Sequence, residues 1–211
     1  SFRNQLYFNR NLQKYSTTLS VGNSKNKQQF FIGTQENNNR TTQVDFSHKF
    51  ANFWLIELMG KQDINELHTE NFTNRNYEIR SKEIHPKISF LYHKDHRFSA
   101  FYHFKNKKNR TQNFESLQQQ KFGIDYFYIS QKKNQISVNG TVFLNNFNGN
   151  RQTPVAYQML EGLQAGRNYT WNLLLNHKIN TILNLSVSYL GRKSEDSKTI
   201  HTGNIQLKAL F

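Results

Sequence analysis

The chain has 211 residues, enough for one sizeable domain, and it contains no cysteine, which excludes disulfides, thiolate metal sites and a cysteine nucleophile. Its net charge of +14 indicates an anionic partner, with nucleic acid and a phosphate-bearing membrane surface as the two candidates. No stretch approaches the roughly 18 consecutive apolar residues of a membrane-spanning helix.

Along the chain, apolar and polar residues alternate with a period of two in one segment after another. Between residues 134 and 146, for example, Ile136, Val138, Val142 and Leu144 alternate with Gln135, Ser137, Asn139 and Thr141. This period is typical of β-strands and predicts an all-β fold. Eleven strands are predicted, at about 2–9, 13–34, 39–49, 52–61, 76–92, 96–105, 117–130, 134–146, 166–178, 180–192 and 199–211. The second could be divided at GNSKNKQQ, which would give twelve.

The connections between these segments alternate between two kinds. Short ones include HKFAN (48–52), HKDHR (93–97) and HKIN (177–180). Longer polar ones are predicted at 36–42, 60–76, 105–116, 146–168 and 192–198. Outer-membrane barrels of bacteria are built with short periplasmic turns and long extracellular loops, so the pattern predicts an antiparallel up-and-down transmembrane β-barrel.

The polarity of the two faces supports a membrane barrel over a soluble one. One face of the strands is apolar, whereas the other carries Asn, Ser, Thr and charges that would be costly to bury in a dry core. A small soluble barrel with the faces reversed remains the alternative. In the membrane barrel, the charges predicted to face the lumen are Asp45, Lys49, Glu57, Lys61, Glu83, Lys87, Lys121 and Asp125.

The last nine residues, GNIQLKALF, continue the alternation to the final aromatic residue. Outer-membrane barrels carry a ring of aromatic residues at each membrane surface, and an aromatic residue at the end of the last strand would lie in such a ring. The stretch resembles the final strand of outer-membrane proteins as a class, which implies a signal for the barrel-assembly machinery at Ile205, Leu207, Ala209 and Phe211.

Three longer stretches carry a narrower resemblance: TNRNYEIRSKEIHPKISF, TPVAYQMLEGLQAGRNYTWNLLL and YLGRKSEDSKTIHTGNIQLKALF. They resemble the C-terminal barrel regions of large outer-membrane proteins of flavobacteria and other Bacteroidota. This resemblance implies a barrel in the outer membrane of a Gram-negative bacterium and implies no particular activity.

No catalytic, cofactor or metal site is predicted. Ser47 and His48 are neighbours on a strand and point to opposite faces, so they cannot act as a pair. The turn residues His93, Asp95 and His96 lack a visible fourth metal ligand. Basic residues on the long-loop side are instead candidate contacts to lipopolysaccharide, namely Lys105, Lys107, Lys108, Arg110, Arg192 and Lys193.

The sequence therefore predicts that residues 1–211 are one outer-membrane barrel domain and not an enzyme. The leading prediction for its role is an envelope anchor or a subunit of a multi-protein secretion or assembly complex. The predicted partners are membrane lipid, lipopolysaccharide, the assembly machinery and other envelope proteins. One alternative is a transport pore, including the C-terminal part of a TonB-dependent transporter. A second is a soluble basic nucleic-acid-binding domain. Because bacterial single-chain barrels have an even strand number, eleven strands also predict that the domain is the C-terminal portion of a larger barrel.

Overall fold

The computed structural model describes residues 2–11, 14–111, 114–130, 133–195 and 197–209. These residues form eleven strands, one short α-helix and one 3₁₀ turn (Thr73–Arg75). The strands are β1 (Phe2–Asn11), β2 (Tyr15–Phe30), β3 (Gly33–Phe50), β4 (Trp54–Thr69), β5 (Tyr77–Tyr92), β6 (His96–Asn109), β7 (Ser116–Ser130), β8 (Asn134–Asn148), β9 (Gly166–Lys178), β10 (Leu183–Ser194) and β11 (Ile200–Ala209). The helix, α1 (Pro154–Leu160), lies between β8 and β9.

The described strands form a single antiparallel sheet in which each strand pairs with its neighbours in sequence. The prediction of an all-β, up-and-down architecture with eleven strands is confirmed. The second predicted strand stays whole, because β2 pairs with β3 without interruption from Tyr15 to Phe30.

Burial is inverted relative to a soluble protein. The face that carries Ser89 and Thr141 is the sheltered one, with these side chains 0% and 5% exposed. The opposite face carries Ile84 and Ile124, which are 46% and 69% exposed. We call the first the lumen face and the second the outer face. A polar interior and an apolar exterior are the arrangement expected of a barrel surrounded by lipid.

The apolar residues of the outer face form a continuous band, which we call the belt. On β8 the belt runs from Ile136 to Leu144, and on β5 it runs from Ile84 to Tyr92, nine residues in each case. A tilted transmembrane strand needs about 9–11 residues to cross a bilayer. The belt therefore has the height of a membrane, and the strands that exceed this length project beyond it.

The projections correct three of the predicted loops. The stretch 36–42 belongs to β3, where Asn38 pairs with both Lys25 and Glu66, and the connection between β2 and β3 lies at residues 31–32 instead. In the same way, β4 continues to Thr69 and β6 to Asn109. Both faces of these extensions carry mostly polar residues, so the alternation of apolar and polar residues ends while the hydrogen-bonded ladder continues. Periodicity alone therefore placed the strand ends too early.

The opposite end of the sheet has the short turns that were predicted. Ala51 and Asn52 in one turn, and His93 in another, have left-handed backbone angles with φ of 50°, 58° and 53°. Tight hairpins favour such angles because they match the right-handed twist of the flanking strands. We call this end the turn side and the end with the extensions the loop side.

The helix α1 was not part of the predicted all-β fold. Thr153 begins it as the N-cap, its Oγ1 accepting a hydrogen bond of 3.0 Å from the Ala156 amide, and Pro154 occupies the first turn. Its seven residues are too short for periodicity to stand out against the strands around it. No helix in the described ranges is long and apolar enough to cross a membrane.

The first and last strands are the edges of the sheet. Within the described residues β1 pairs only with β2, and β11 pairs only with β10. Both edge strands run from the loop side to the turn side, so they point in the same direction. A direct pairing between them would be parallel, unlike every other pairing in the sheet.

Candidate functional site

The lumen face is where the sequence predicted a group of charges. Register brings all eight onto this one face, since Glu57 lies opposite Lys87, Lys61 opposite Glu83, and Asp125 opposite Ser99. The full set on this face is Asp45, Lys49, Glu57, Lys61, Glu83, Lys87, Lys121 and Asp125.

Several of these charges form ion pairs between strands. Lys87 on β5 reaches across β6 to Asp125 on β7, with Nζ 3.3 Å from Oδ2. Lys61 instead pairs with Asp63 on its own strand at 2.7 Å. Asp63 was not among the predicted residues, although it shares the face and the strand of Lys61. Such pairs offset part of the cost of placing charges inside a barrel.

A denser group lies higher, towards the loop side. The Glu83 carboxylate contacts His103 Nε2 at 3.0 Å and Lys105 Nζ at 3.2 Å. The His85 ring stacks on that of His103 with centroids 4.9 Å apart. The two neighbouring strands β5 and β6 are thus joined by one connected polar network.

The helix α1 folds onto the lumen face above this network. Its Val155, Ala156, Met159 and Leu160 are buried in a cluster with Tyr77, Ile79, Leu117 and Phe147 of the sheet. These apolar sheet residues all lie on the lumen face, near the loop-side ends of β5, β7 and β8. The cluster is the main apolar core of the described chain, and it attaches the connection between β8 and β9 to the inside of the wall.

Polar contacts at the end of α1 also hold it to the wall, and we call the contacts of Lys105 and Lys107 with Met159 and Glu161 the latch. Lys107 Nζ donates to the Met159 carbonyl at 2.8 Å and to Glu161 Oε1 at 2.7 Å, and Lys105 Nζ lies 3.0 Å from the same carboxylate. On the far side, Asn145 and Asn168 both donate to the Gln164 carbonyl, at 2.9 and 2.8 Å.

Glu161 lies outside the membrane-spanning segments, and its charge is set by these neighbours. Burial favours its neutral form, but the ammonium groups of Lys107 and Lys105 outweigh burial and lower the pKa of Glu161 below its ordinary value. Glu161 is therefore ionised at neutral pH and holds both lysines at the end of α1.

Lys121 differs from the other lumen cations. Its Nζ lies 5.3 Å from the Phe101 ring centre and 5.2 Å from that of Phe143, on either side. Within the described part of the chain, the side-chain ammonium group of Lys121 makes no hydrogen bond or ion pair. The two rings stabilise the ammonium group through their electron-rich faces.

Five of the six candidate lipopolysaccharide contacts separate into two groups, and the sixth, Arg110, lies beyond the strands. Lys105, Lys107 and Arg192 lie on the lumen face, and the first two are engaged by Glu161. Lys108 and Lys193 lie on the outer face, on the loop side of the belt. Arg110 follows the end of β6, and its amide donates to the Glu78 carbonyl.

The predicted assembly signal lies on the edge strand. Ile205 and Leu207 point outward and are exposed, and Ala209 shares their face. Phe211 lies outside the described residues.

Sequence reasoning missed α1 and Glu161, although TPVAYQMLEGL carries an N-cap threonine, a first-turn proline and a glycine after the last turn, which together signal a short helix.

Comparison with known proteins identifies the class by structure alone. No family model and no curated protein matches the chain. A loop-deletion variant of OmpT, an outer-membrane protein of Vibrio cholerae, matches with a TM-score of 0.65 at 7% identity, over 98% of this chain and 62% of that one. In-vitro folded OmpT matches with a TM-score of 0.62 at 7% identity, over 90% of this chain and 53% of that one. The NanC porin matches with a TM-score of 0.50 at 11% identity, over 99% of this chain and 98% of that one.

These matches define the fold as that of Gram-negative outer-membrane β-barrels, and the predicted location in the bacterial outer membrane is confirmed at this level. The chain spans about half to three-fifths of the OmpT chains, 53% and 62% of their lengths. The matches share the architecture and carry no sign of a particular lineage, so the resemblance to Bacteroidota proteins stays an expectation.

Proposed function

We propose that this outer-membrane barrel forms the wall of a solute pore whose lumen is narrowed by α1. The observation that carries the proposal is the inward position of α1, whose Met159 and Ala156 are fully buried against the lumen face. A connection that served only as an extracellular loop would have no need of an apolar cluster inside the wall.

The extent of α1 favours a constriction over a complete plug. Its contacts reach β5 through β8, by way of Ile79, Lys107, Leu117 and Phe147. The lumen faces of β2 and β3 stay free of it and carry small polar residues such as Thr18 and Thr41. Polar walls of this kind are found in water-filled barrels.

A pore needs a closed wall, and we propose that further strands close this one. β1 and β11 run in the same direction, so an antiparallel closure takes an odd number of additional strands between them. Unpaired edges in lipid would leave backbone groups without partners, at several kcal/mol for each group. The additional strands would come from a longer form of the chain or from a second copy.

A single helix offers a matched test of the pore. Met159→Asp places a charge in the apolar cluster and should release α1, whereas Tyr157→Asp changes a residue on the same helix that is 71% exposed. In planar bilayers we expect single-channel currents from the unaltered protein, a larger conductance for Met159→Asp and an unchanged one for Tyr157→Asp. Absence of currents from all three folded proteins, or equal conductance in all, would contradict the proposal.

A second candidate is the envelope anchor or complex subunit that the sequence favoured. It is supported by the tip of the β2–β3 hairpin, where Phe30, Phe31 and Ile32 are exposed at the end of a polar extension. Apolar residues held away from the membrane in this way suit contact with another envelope protein. Bifunctional cross-linking from Phe31→Cys in intact cells should give a heavier adduct, with Asn148→Cys as the control. No adduct from either variant would count against a partner at this tip.

A further inference from the structure

A groove on the outer face stands out from the rest of the belt. It has a volume of about 880 Å³, and its lining is almost entirely apolar. Phe122 and Ile124 form one wall, Tyr169 and Trp171 the other, and Gly140 lies between them. Ile124 is 69% exposed because its neighbours in register on both sides, Ala100 and Gly140, are small.

The floor of the groove depends on the glycine. A Cβ added at Gly140 would meet only Ile124 Cγ1 at 3.8 Å, which is ordinary contact. The space above Gly140 is therefore open and not filled by a neighbouring ring. On the same row of the sheet, Trp171 instead lies over Gly191, where an added Cβ would overlap the indole. Gly191 is thus covered by an aromatic ring, whereas Gly140 leaves an open slot in the floor of the groove.

Cations mark the upper end of this slot. Lys193 lines the groove and lies opposite Tyr169 in register, and Arg167 lies on the same outer face one step closer to the loop side. Both side chains are exposed. The nearby Glu195 carboxylate accepts a hydrogen bond from the Arg167 amide at 3.0 Å, so part of its charge is satisfied by the backbone.

The position of the cations selects one leaflet. The end that carries Lys193 is the loop side, which faces the cell exterior in barrels of this class. The outer leaflet there is built from lipopolysaccharide, whose lipid A combines saturated acyl chains with phosphate groups. From the membrane centre outward, the apolar slot comes first and the cations come second. An acyl chain and a phosphate group of lipid A follow each other in the same order.

We propose that the groove over Gly140 is a lipid A site, in which one acyl chain lies between Ile124 and Trp171 while a phosphate contacts Lys193 and Arg167. The proposal rests on the membrane location of the belt and not on conduction, so a failed pore experiment leaves it unaffected. It replaces the broad set of six basic residues with one defined site.

Trp171 allows the site to be measured directly, because the chain has only two tryptophans. In a Trp54→Phe background, Trp171 is the single reporter. The protein is placed in vesicles of brominated phosphatidylcholine, whose acyl chains quench Trp171, and purified lipid A or unbrominated phosphatidylglycerol is then added. A lipid that occupies the groove displaces the brominated chains and restores the fluorescence emission of Trp171.

We expect lipid A to restore emission at a mole fraction about tenfold lower than phosphatidylglycerol, the factor that corresponds to about one charge-assisted hydrogen bond. Lys193→Gln and Gly140→Leu should each remove this preference, the first by deleting the cation and the second by filling the slot. Lys82→Gln and Gly60→Leu are matched controls, since Lys82 is an outer-face cation above the belt and Gly60 an outer-face glycine with no heavy atom within 4 Å of an added Cβ.

Folding of each variant is checked by heat-modifiable gel mobility, and Gly140→Ala, which the 3.8 Å contact allows, replaces Gly140→Leu if that variant does not fold. Lipid A retained by the purified protein is counted by native mass spectrometry as an independent readout. Equal restoration by both lipids would overturn the assignment to lipid A. A preference that survives both Lys193→Gln and filling of the slot would overturn the location.

Discussion

The wall under α1 and the edge strands share one sequence pattern but differ in packing. Under α1, lumen-face residues such as Leu117 and Ile79 are 1% and 6% exposed. In β11, every residue of the strand is exposed, including Ile205 at 74%. Both regions alternate with a period of two.

The difference shows what alternation encodes. It determines which face a side chain occupies, because neighbouring residues in a strand point to opposite sides. It does not determine what covers that face. Leu117 is covered by α1, whose first residue, Pro154, lies 37 residues further along the chain.

The largest expected effect comes from opening a cavity in the covered wall. Leu117→Ala removes a side chain that is packed on all sides by the cluster, and it should lower the free energy of unfolding by about 2–5 kcal/mol. Leu207→Ala makes the same chemical change on β11, where lipid refills the space and no cavity forms. Urea unfolding from lipid vesicles measures both. Equal losses would show that α1 does not cover Leu117 in the membrane.

A pair of glycines provides the next comparison. A Cβ at Gly123 would overlap the Phe101 ring on the lumen face, whereas at Gly203 in β11 no heavy atom lies within 4 Å. We expect Gly123→Ala to cost about 1–3 kcal/mol, the usual range for overpacking. Gly203→Ala should be neutral or slightly stabilising, because alanine restricts the unfolded chain. The same urea titration tests the pair, and a neutral Gly123→Ala would mean that the ring moves freely.

The smallest effect is expected from the pH dependence of the latch. Because the pKa of Glu161 is lowered in the folded protein, its contribution is present above the ordinary pKa of glutamate, about 4.3, and is lost as pH falls through the lower folded value. A spin label at Tyr157→Cys should gain mobility on acidification below that ordinary value. Adding Glu161→Gln should give a mobility that no longer changes over this range. An unchanged pH response in that double variant would remove Glu161 from the latch.

The sequence was sufficient for the features that follow from alternation. The eleven strands and the shared face of charges from Asp45 to Asp125 required only the period of two and the register that follows from short turns. The loop-side ends of β3 and β4 were placed too early, because beyond the belt both faces carry mostly polar residues and the alternation fades. The latch at Lys107 could not be predicted from the sequence, because it depends on where a seven-residue helix docks. The assembly role of Phe211 and the absence of catalysis stay predictions.

The orientation of the barrel in the outer membrane is tested most directly by labelling single cysteines, for which the native chain provides no background. Phe31→Cys lies at the tip of the loop-side extension and Lys94→Cys in a turn on the opposite end, and both positions are exposed. A membrane-impermeant maleimide should label Phe31→Cys in intact cells and Lys94→Cys only after the outer membrane is permeabilised. Labelling of Lys94→Cys in intact cells, with Phe31→Cys protected, would contradict the orientation and the location of the lipid site with it.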